Sequence, residues 1–353
     1  MPAPDPHRGA RGSVLVLAVW SLSLLAVLAG SLGYGVRQRA SLIVRMQLRG
    51  DLARAAWAGV EKARGLMKMT DATPGLDTLA EDWSNNPSEF QDVPFGQVRF
   101  SVGYPVPGVK KGEAPFIYGL VDEERKINLN TADAETITRL LQAAAGLGSD
   151  RAQEIAYAII DWRDTDSVHQ HAEYGAEDDD YENLAKPYEA KDKPMDALEE
   201  LLLVKGMKRE IFDRIRDDVT VVGGGAVNIN TASARTLQAL GLGKDLVEKI
   251  LLYRRGVDGV ERTTDDQYFS SAAQITAELK KIFQLDITEE AALDQLASAG
   301  RLTVFSSYFT VTSRAVVQER WEITARAVID RDGKIYYSRI SQVSGRSEAT
   351  HTP

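Results

Sequence analysis

Ile127-Asn-Leu-Asn-Thr-Ala-Asp-Ala134 returns 100 residues later as Val227-Asn-Ile-Asn-Thr-Ala-Ser-Ala234, with five of eight positions identical. Each copy joins a short apolar start to a polar cluster that can cap a helix, with Asn130 or Thr131 the expected cap in the first. Ile137, Leu140 and Leu141 then follow at helical spacing. Both copies reach a Gly-x-Gly turn, Gly146-Leu-Gly148 and Gly241-Leu-Gly243, before a second helix predicted over 152–162 and 246–253. A third glycine turn lies in Leu201-Leu-Leu-Val-Lys-Gly-Met207. The repeat therefore defines a helical region over 131–300.

Strand patterns lie on either side of it. Gln97–Tyr104 alternates with period two, and Phe116–Val121 is a second short candidate. Beyond the repeat, Tyr308–Val317 and Trp321–Ile329 alternate again, and Asp330-Arg-Asp-Gly333 turns the chain into Ile335–Val343. The economical fold is α+β: one antiparallel sheet, packed on a long helix and interrupted by a helical insertion.

That long helix is the N-terminal stem. Ser13–Val36 is uncharged and dominated by Leu, Val and Ala. Its 24 residues make roughly 36 Å of helix, enough to cross a hydrocarbon core of about 30 Å. The run is too long for a typical signal-peptide core, and Tyr34–Arg39 is a poor cleavage site. Arg39–Met69 keeps apolar residues near helical spacing without a proline, so the helix is expected to continue past the membrane, with Gly50, Gly59 and Gly65 the points of interruption.

Charge divides the same way. The net charge of −9 joins a stem of +7 over residues 1–70 to a body of −16. Cysteine is absent, which excludes disulfides, thiol nucleophiles and Cys-ligated zinc. No His-Glu-x-x-His or Gly-x-Ser-x-Gly sequence is present, Gly243-Lys244 lacks the rest of a phosphate-binding loop, and nothing in the sequence points to an enzyme. Five arginines, Arg37, Arg39, Arg45, Arg49 and Arg54, come after the span, against Arg8 and Arg11 before it. A simple positive-inside count would place the body in the cytoplasm.

The leader ending Arg11-Gly12, followed at once by a hydrophobic helix that becomes amphipathic, resembles type IV pilins and type II secretion pseudopilins. The resemblance implies that a prepilin peptidase cuts between Gly12 and Ser13 and methylates the new amino terminus. Most members carry a glutamate five residues into the mature helix; here that position is Leu17, as is typical of the K-type minor pseudopilin. Asp122–Ala132, Asp161-Trp162, Gly175–Asp178, Glu200–Met207 and Val227–Ala232 look like signature stretches of that K family.

Membership implies a leader at 1–12, a transmembrane helix at 13–36 and its periplasmic continuation at 37–72. A pilin-like domain comes next at 73–130, with its later strands at 301–345 and a disordered tail at 346–353. The insertion at 131–300 resembles SAM-like, helix-hairpin-helix (HhH) modules. The implied protein initiates and caps a periplasmic pseudopilus that supports export across the outer membrane. Val14, Leu15, Leu17, Leu24 and Leu28 exchange lipid for neighbouring stems, and the expected partners are I- and J-type minor pseudopilins, other pseudopilins, the prepilin peptidase and the inner-membrane platform. Two other readings fit parts of the pattern: a minor pilin of a type IV system, and a membrane-anchored HhH receptor for nucleic acid. Lys126–Arg255 carries −7, which repels a polyanion, so no nucleic-acid partner is expected.

Asp161–Glu182 holds nine carboxylates in 22 residues. Hard oxygen ligands from two short segments, Asp164 with Asp166 and Glu177 with Asp178 and Asp179, suit calcium, although the EF-hand spacing is missing. K-family resemblance implies the same structural calcium. His169-x-His171 beside them is the alternative, transition-metal pair.

Overall fold

The computed structural model describes residues 10–69, 75–106, 116–317 and 321–343. The leader expected at 1–12 lies outside them over residues 1–9, and the tail expected at 346–353 lies outside them throughout. Residues 1–54 and 55–353 form two compact units.

The first unit is the greater part of a helix whose bounds are Ala10–Met69. Val14, Leu15, Leu17, Leu24 and Leu28 are all exposed along it. A single N-terminal helix this long and apolar fits a single-pass membrane anchor. The helix is not interrupted at Gly50, Gly59 or Gly65, contrary to the expectation from propensity.

At Gly59 the reason is visible within the second unit. A Cβ on Gly59 would stand 2.1 Å from Ser313 Oγ and 2.9 Å from the Phe100 ring, so the missing side chain lets helix and sheet backbones approach. Ala55, Ala56, Val60, Ala63 and Met67 are buried on the same stripe, spaced three and four apart.

The sheet runs in the order Val93–Phe95, Val98–Val102, Tyr308–Val317, Trp321–Asp330, Ile335–Val343, every neighbour antiparallel. Tyr308–Val317 is its centre. One edge of that strand pairs with Val98–Val102 at Ser313–Val316 and with Val121–Asp122 at Phe309–Thr310. The chain thus leaves the sheet after Asp122 and returns to it at Tyr308, and one hydrophobic core runs from Ile127 to Val304 between those points.

The two copies of the repeat are built alike. Ile127–Asn128 pairs in parallel with Val219–Thr220, and Val227–Asn228 pairs in parallel with Leu302–Thr303, two-residue ladders that the sequence pattern did not predict. Asn128 Oδ1 accepts the Asn130 N–H at 2.9 Å, and Asn228 Oδ1 accepts the Asn230 N–H at 3.0 Å. Helices Ala134–Ala145 and Ala234–Ala239 are capped by Asp133 and Ser233; in the first copy this is three residues after Asn130 and two after Thr131, the caps expected from the sequence. The earlier asparagines instead clamp later loops. Asn130 bonds the N–H and C=O of Met195, and Asn230 those of Phe269.

Where the sheet meets the second copy, polar groups are buried together. Asp122 is 1 % exposed, and its carboxylate accepts from Thr231 Oγ1 at 2.5 Å, Ser306 Oγ at 2.7 Å and the Glu124 N–H at 2.8 Å. Burial, partly offset by those hydroxyls, pushes the Asp122 carboxyl up to about 6. Beside it Glu123 accepts from Lys126 Nζ, Thr220 Oγ1 and Thr310 Oγ1, which ties the insertion's first ladder to the central strand.

Candidate metal centre

The second helix of the first copy, Ser149–Arg163, ends on an arginine that anchors it. The Arg163 guanidinium donates to the carbonyls of Leu129 and Ala132, binding the helix end to the start of its own copy. Asp161, fully buried just before the helix end, accepts the N–H groups of Gln170 at 3.1 Å and Ala176 at 2.9 Å. The loop that leaves the helix is thereby folded back over it. Gly175, at φ +112°, makes this possible, because a Cβ there would fall 2.1 Å from Asp161 Oδ2.

The fold-back sets Glu177 beside the residues after Arg163. Asp164, Asp166 and Glu177 each offer an oxygen within 4.8 Å of the others'. Glu177 is 4 % exposed, and neither of its carboxylate oxygens has a hydrogen-bond partner; the same holds for both oxygens of Asp164. Burial pushes Glu177 up to about 7, reinforced by the charges of Asp161, Asp164, Asp192 and Asp178. Asp164 is pushed up to about 6 by burial and then by Asp166, Asp161 and Asp192.

Asp192 was not singled out by the sequence. Its Oδ1 is buried and unpartnered, its charge acts on both Asp164 and Glu177, and its backbone stands at φ +51°, a conformation rare for a residue with a Cβ. The Asp192 N–H bonds the Trp162 carbonyl, so the chain returns to the end of the same helix. The other expected ligands are placed differently. Asp178 Oδ1 accepts the Ala190 N–H at 2.8 Å, and Asp179 is exposed. Neither histidine joins the cluster: His169 Nε2 lies 3.3 Å from Asp180 Oδ2, and the His171 ring packs on Tyr157 and Tyr174.

Buried carboxylates without donors are costly, and their mutual repulsion adds to the cost. A hard divalent cation would remove both penalties, and the all-oxygen group of Asp164, Asp166 and Glu177, with the Asp192 charge acting on it, is of the chemistry that suits calcium rather than zinc. The second copy has the same scaffold without this chemistry. Arg254 donates to Ile229 and Ala232 carbonyls as Arg163 does to its own copy. The loop after Arg254 is closed by an Arg254–Glu261 pair at 2.8 Å and by Asp265, which accepts from Val257 and Asp258 N–H groups and the Thr263 hydroxyl.

The hairpin helices also carry acids where a phosphate would sit, Asp150 and Asp245 in their first turns.

A helix whose residues 55–69 pack on an antiparallel sheet, with a duplicated helical region entered and left through the central strand, defines a mixed α+β protein. The family profile described as type II secretion system, protein K, matches residues 117–224. Type II secretion system protein K of Pectobacterium carotovorum subsp. carotovorum is 26 % identical over 232 residues, covering 63 % of this chain and 66 % of the relative. The protein of the same name from Pseudomonas aeruginosa is 26 % identical over 245 residues, covering 66 % and 69 %. A chain of the crystal structure of the GspK-GspI-GspJ complex from the enterotoxigenic Escherichia coli type 2 secretion system superposes with a TM-score of 0.61 at 19 % identity, covering 87 % of this chain and all of that one. Residues 117–224 thus match the type II secretion protein K profile, and the chain is similar to protein K of two organisms over about two thirds of its length. Its match spans just under two thirds of the length of the Pectobacterium relative.

Proposed function

We propose that this chain is a minor pseudopilin that initiates and caps a type II secretion pseudopilus, with its stem in the inner membrane and its body in the periplasm. The observation that carries the reading is the superposition of 87 % of this chain on a chain of the GspK-GspI-GspJ complex at a TM-score of 0.61. On this reading the partners are I- and J-type pseudopilins, other pseudopilins and the secretion platform, and a prepilin peptidase cuts between Gly12 and Ser13. Leu17 offers no carboxylate to an incoming amino terminus, and a body of this size is bulky for a thin fibre; both favour the tip.

The insertion over 131–300 is read as a pair of HhH-like modules used for packing, with the acidic hairpin ends disfavouring nucleic acid. The site after Arg163 holds structural calcium through Asp164, Asp166, Glu177 and Asp192, and its role is to fix that loop rather than to catalyse. Co-expression of residues 55–353 with the soluble parts of the cognate I- and J-type proteins, followed by size-exclusion chromatography, tests the reading. A stable three-chain complex is expected; elution of three separate species would overturn it.

A further inference from the structure

The arginines beyond the span oppose a simple charge count, and their setting assigns them a use. Between Ser13 and Gly50 the sequence contains Arg37, Arg39, Arg45 and Arg49 and not one carboxylate. All four are exposed, whereas Arg54, further on, is paired with Asp51 at 2.5 Å. The apolar run also resumes beyond the first two: Leu42, Ile43, Val44 and Met46 are exposed by 56, 57, 62 and 72 %. At about 100° per residue the four aliphatics spread over about 200° of the helix circumference, and Arg37, Arg39 and Arg45 over a differently placed arc of about 200°, so that together the seven side chains surround the axis with no gap wider than about 100°. A protein neighbour covers one face of a helix. Aliphatic and cationic side chains that together surround the axis instead suit the boundary of a lipid surface, which is the same in all directions around the axis.

We infer that Arg37, Arg39 and Arg45 form a collar that binds the phosphates of phospholipid headgroups and sets the depth of the stem in the membrane. The inference rests on the reading of this helix as a membrane span. An uncharged run of 24 residues is longer than the about 20 needed to span, so the run alone leaves the register loose. Helical side chains lean toward the N-terminus, here toward the bilayer, so Arg45, about 12 Å beyond Arg37 along the axis, reaches back into the headgroup layer. Arg49, about 18 Å beyond Arg37, stands too far out to do so. Tyr34, whose hydroxyl accepts from Gln38 Nε2 at 2.7 Å, marks the same boundary with an amphipathic ring. Without the collar, Leu42, Ile43, Val44 and Met46 would draw the helix inward.

The chain has no cysteine, so Ser41→Cys provides a unique, exposed site for a nitroxide label. The labelled full chain is reconstituted into vesicles of zwitterionic lipid with a minority of anionic phospholipid, and label depth is read from its relative accessibility to oxygen and to a water-soluble nickel chelate. Combining Arg37→Gln, Arg39→Gln and Arg45→Gln should sink the label by about one helical turn, about 5 Å. Lysine at the same three positions should restore the parent depth, and Arg49→Gln should leave it unmoved. Equal depth for the parent and the triple glutamine variant overturns the collar while leaving the span intact. Release of the parent from the vesicles by an alkaline carbonate wash overturns the span, and the collar with it.

Discussion

Glu177→Gln separates a metal ligand from an ordinary buried acid, because the two roles predict opposite signs in the absence of metal. Glu177 is 4 % exposed, has no hydrogen-bond partner on either oxygen and is pushed up to about 7 by burial and by four neighbouring carboxylates. Its ionised form is therefore disfavoured by the apo fold at pH 8, and the neutral amide relieves that repulsion. In chelator, Glu177→Gln should melt at or above the wild-type temperature.

With calcium the order should reverse. A ligand at 100 times its dissociation constant stabilises the folded state by about 2.7 kcal/mol. At about 2 °C per kcal/mol for a body of this size, that is a rise of about 5 °C for the wild type, of which the variant should keep little. The assay is scanning calorimetry of the full chain in detergent with millimolar calcium, millimolar magnesium or chelator. Magnesium should substitute poorly, because it demands a tighter octahedral shell and keeps its waters. An equal loss of melting temperature in calcium and in chelator would refute the argument, since it would make Glu177 a structural acid unrelated to metal. So would a wild type indifferent to calcium.

Two glycines of the stem helix should respond in opposite directions to alanine. Gly59→Ala gains helix propensity but drives a Cβ into Ser313 and Phe100, and should lower stability by about 1–3 kcal/mol. Gly65→Ala meets nothing within 4 Å and should raise it by up to about 1 kcal/mol, both read from denaturant midpoints. Asp122 has a folded pKa of about 6 against 3.8 unfolded, so the fold prefers its protonated form. Its contribution is complete below about pH 4 and is lost as pH rises through 6, a change of about 3 kcal/mol. Asp122→Asn should flatten the fall in stability over that window, and an unchanged pH profile by chemical denaturation would count against the burial argument. Arg163→Met should cost about 3 kcal/mol, because it leaves the Leu129 and Ala132 carbonyls without their charged donor.

Much of this fold is legible in the sequence because its signals are periodic. The strands Tyr308–Val317, Trp321–Asp330 and Ile335–Val343 are readable from alternation, and the repeat is visible as eight aligned residues. What alternation cannot reveal is any element too short to have a period, such as Ile127–Asn128 against Val219–Thr220, which exists only because the insertion's core brings the two segments together. The cap was misplaced for a related reason. Asn130 and Asp133 are equally good caps by type, and only tertiary structure shows that Asn130 is occupied with Met195.

The same limit applies to the site. Composition locates the acidic segment, but it cannot choose among nine carboxylates, because the choice is made by backbone geometry. Asp161 is engaged by two loop N–H groups and Asp178 by the Ala190 N–H, whereas Asp166, although exposed and accepting the Val168 N–H at 3.1 Å, is brought within 4.8 Å of the Asp164 and Glu177 oxygens. Asp192 enters from 15 residues beyond Glu177 through a left-handed backbone that no spacing rule anticipates. The second copy supplies the control. It repeats the asparagine clamp and the arginine that ties helix end to helix start, yet its Asp265 is consumed by two backbone N–H groups and a hydroxyl. A shared scaffold therefore brings the loop into position in both copies, and what sets the candidate cation site apart from the closed turn is that the Asp164 and Glu177 carboxylates find no donor within their own loop.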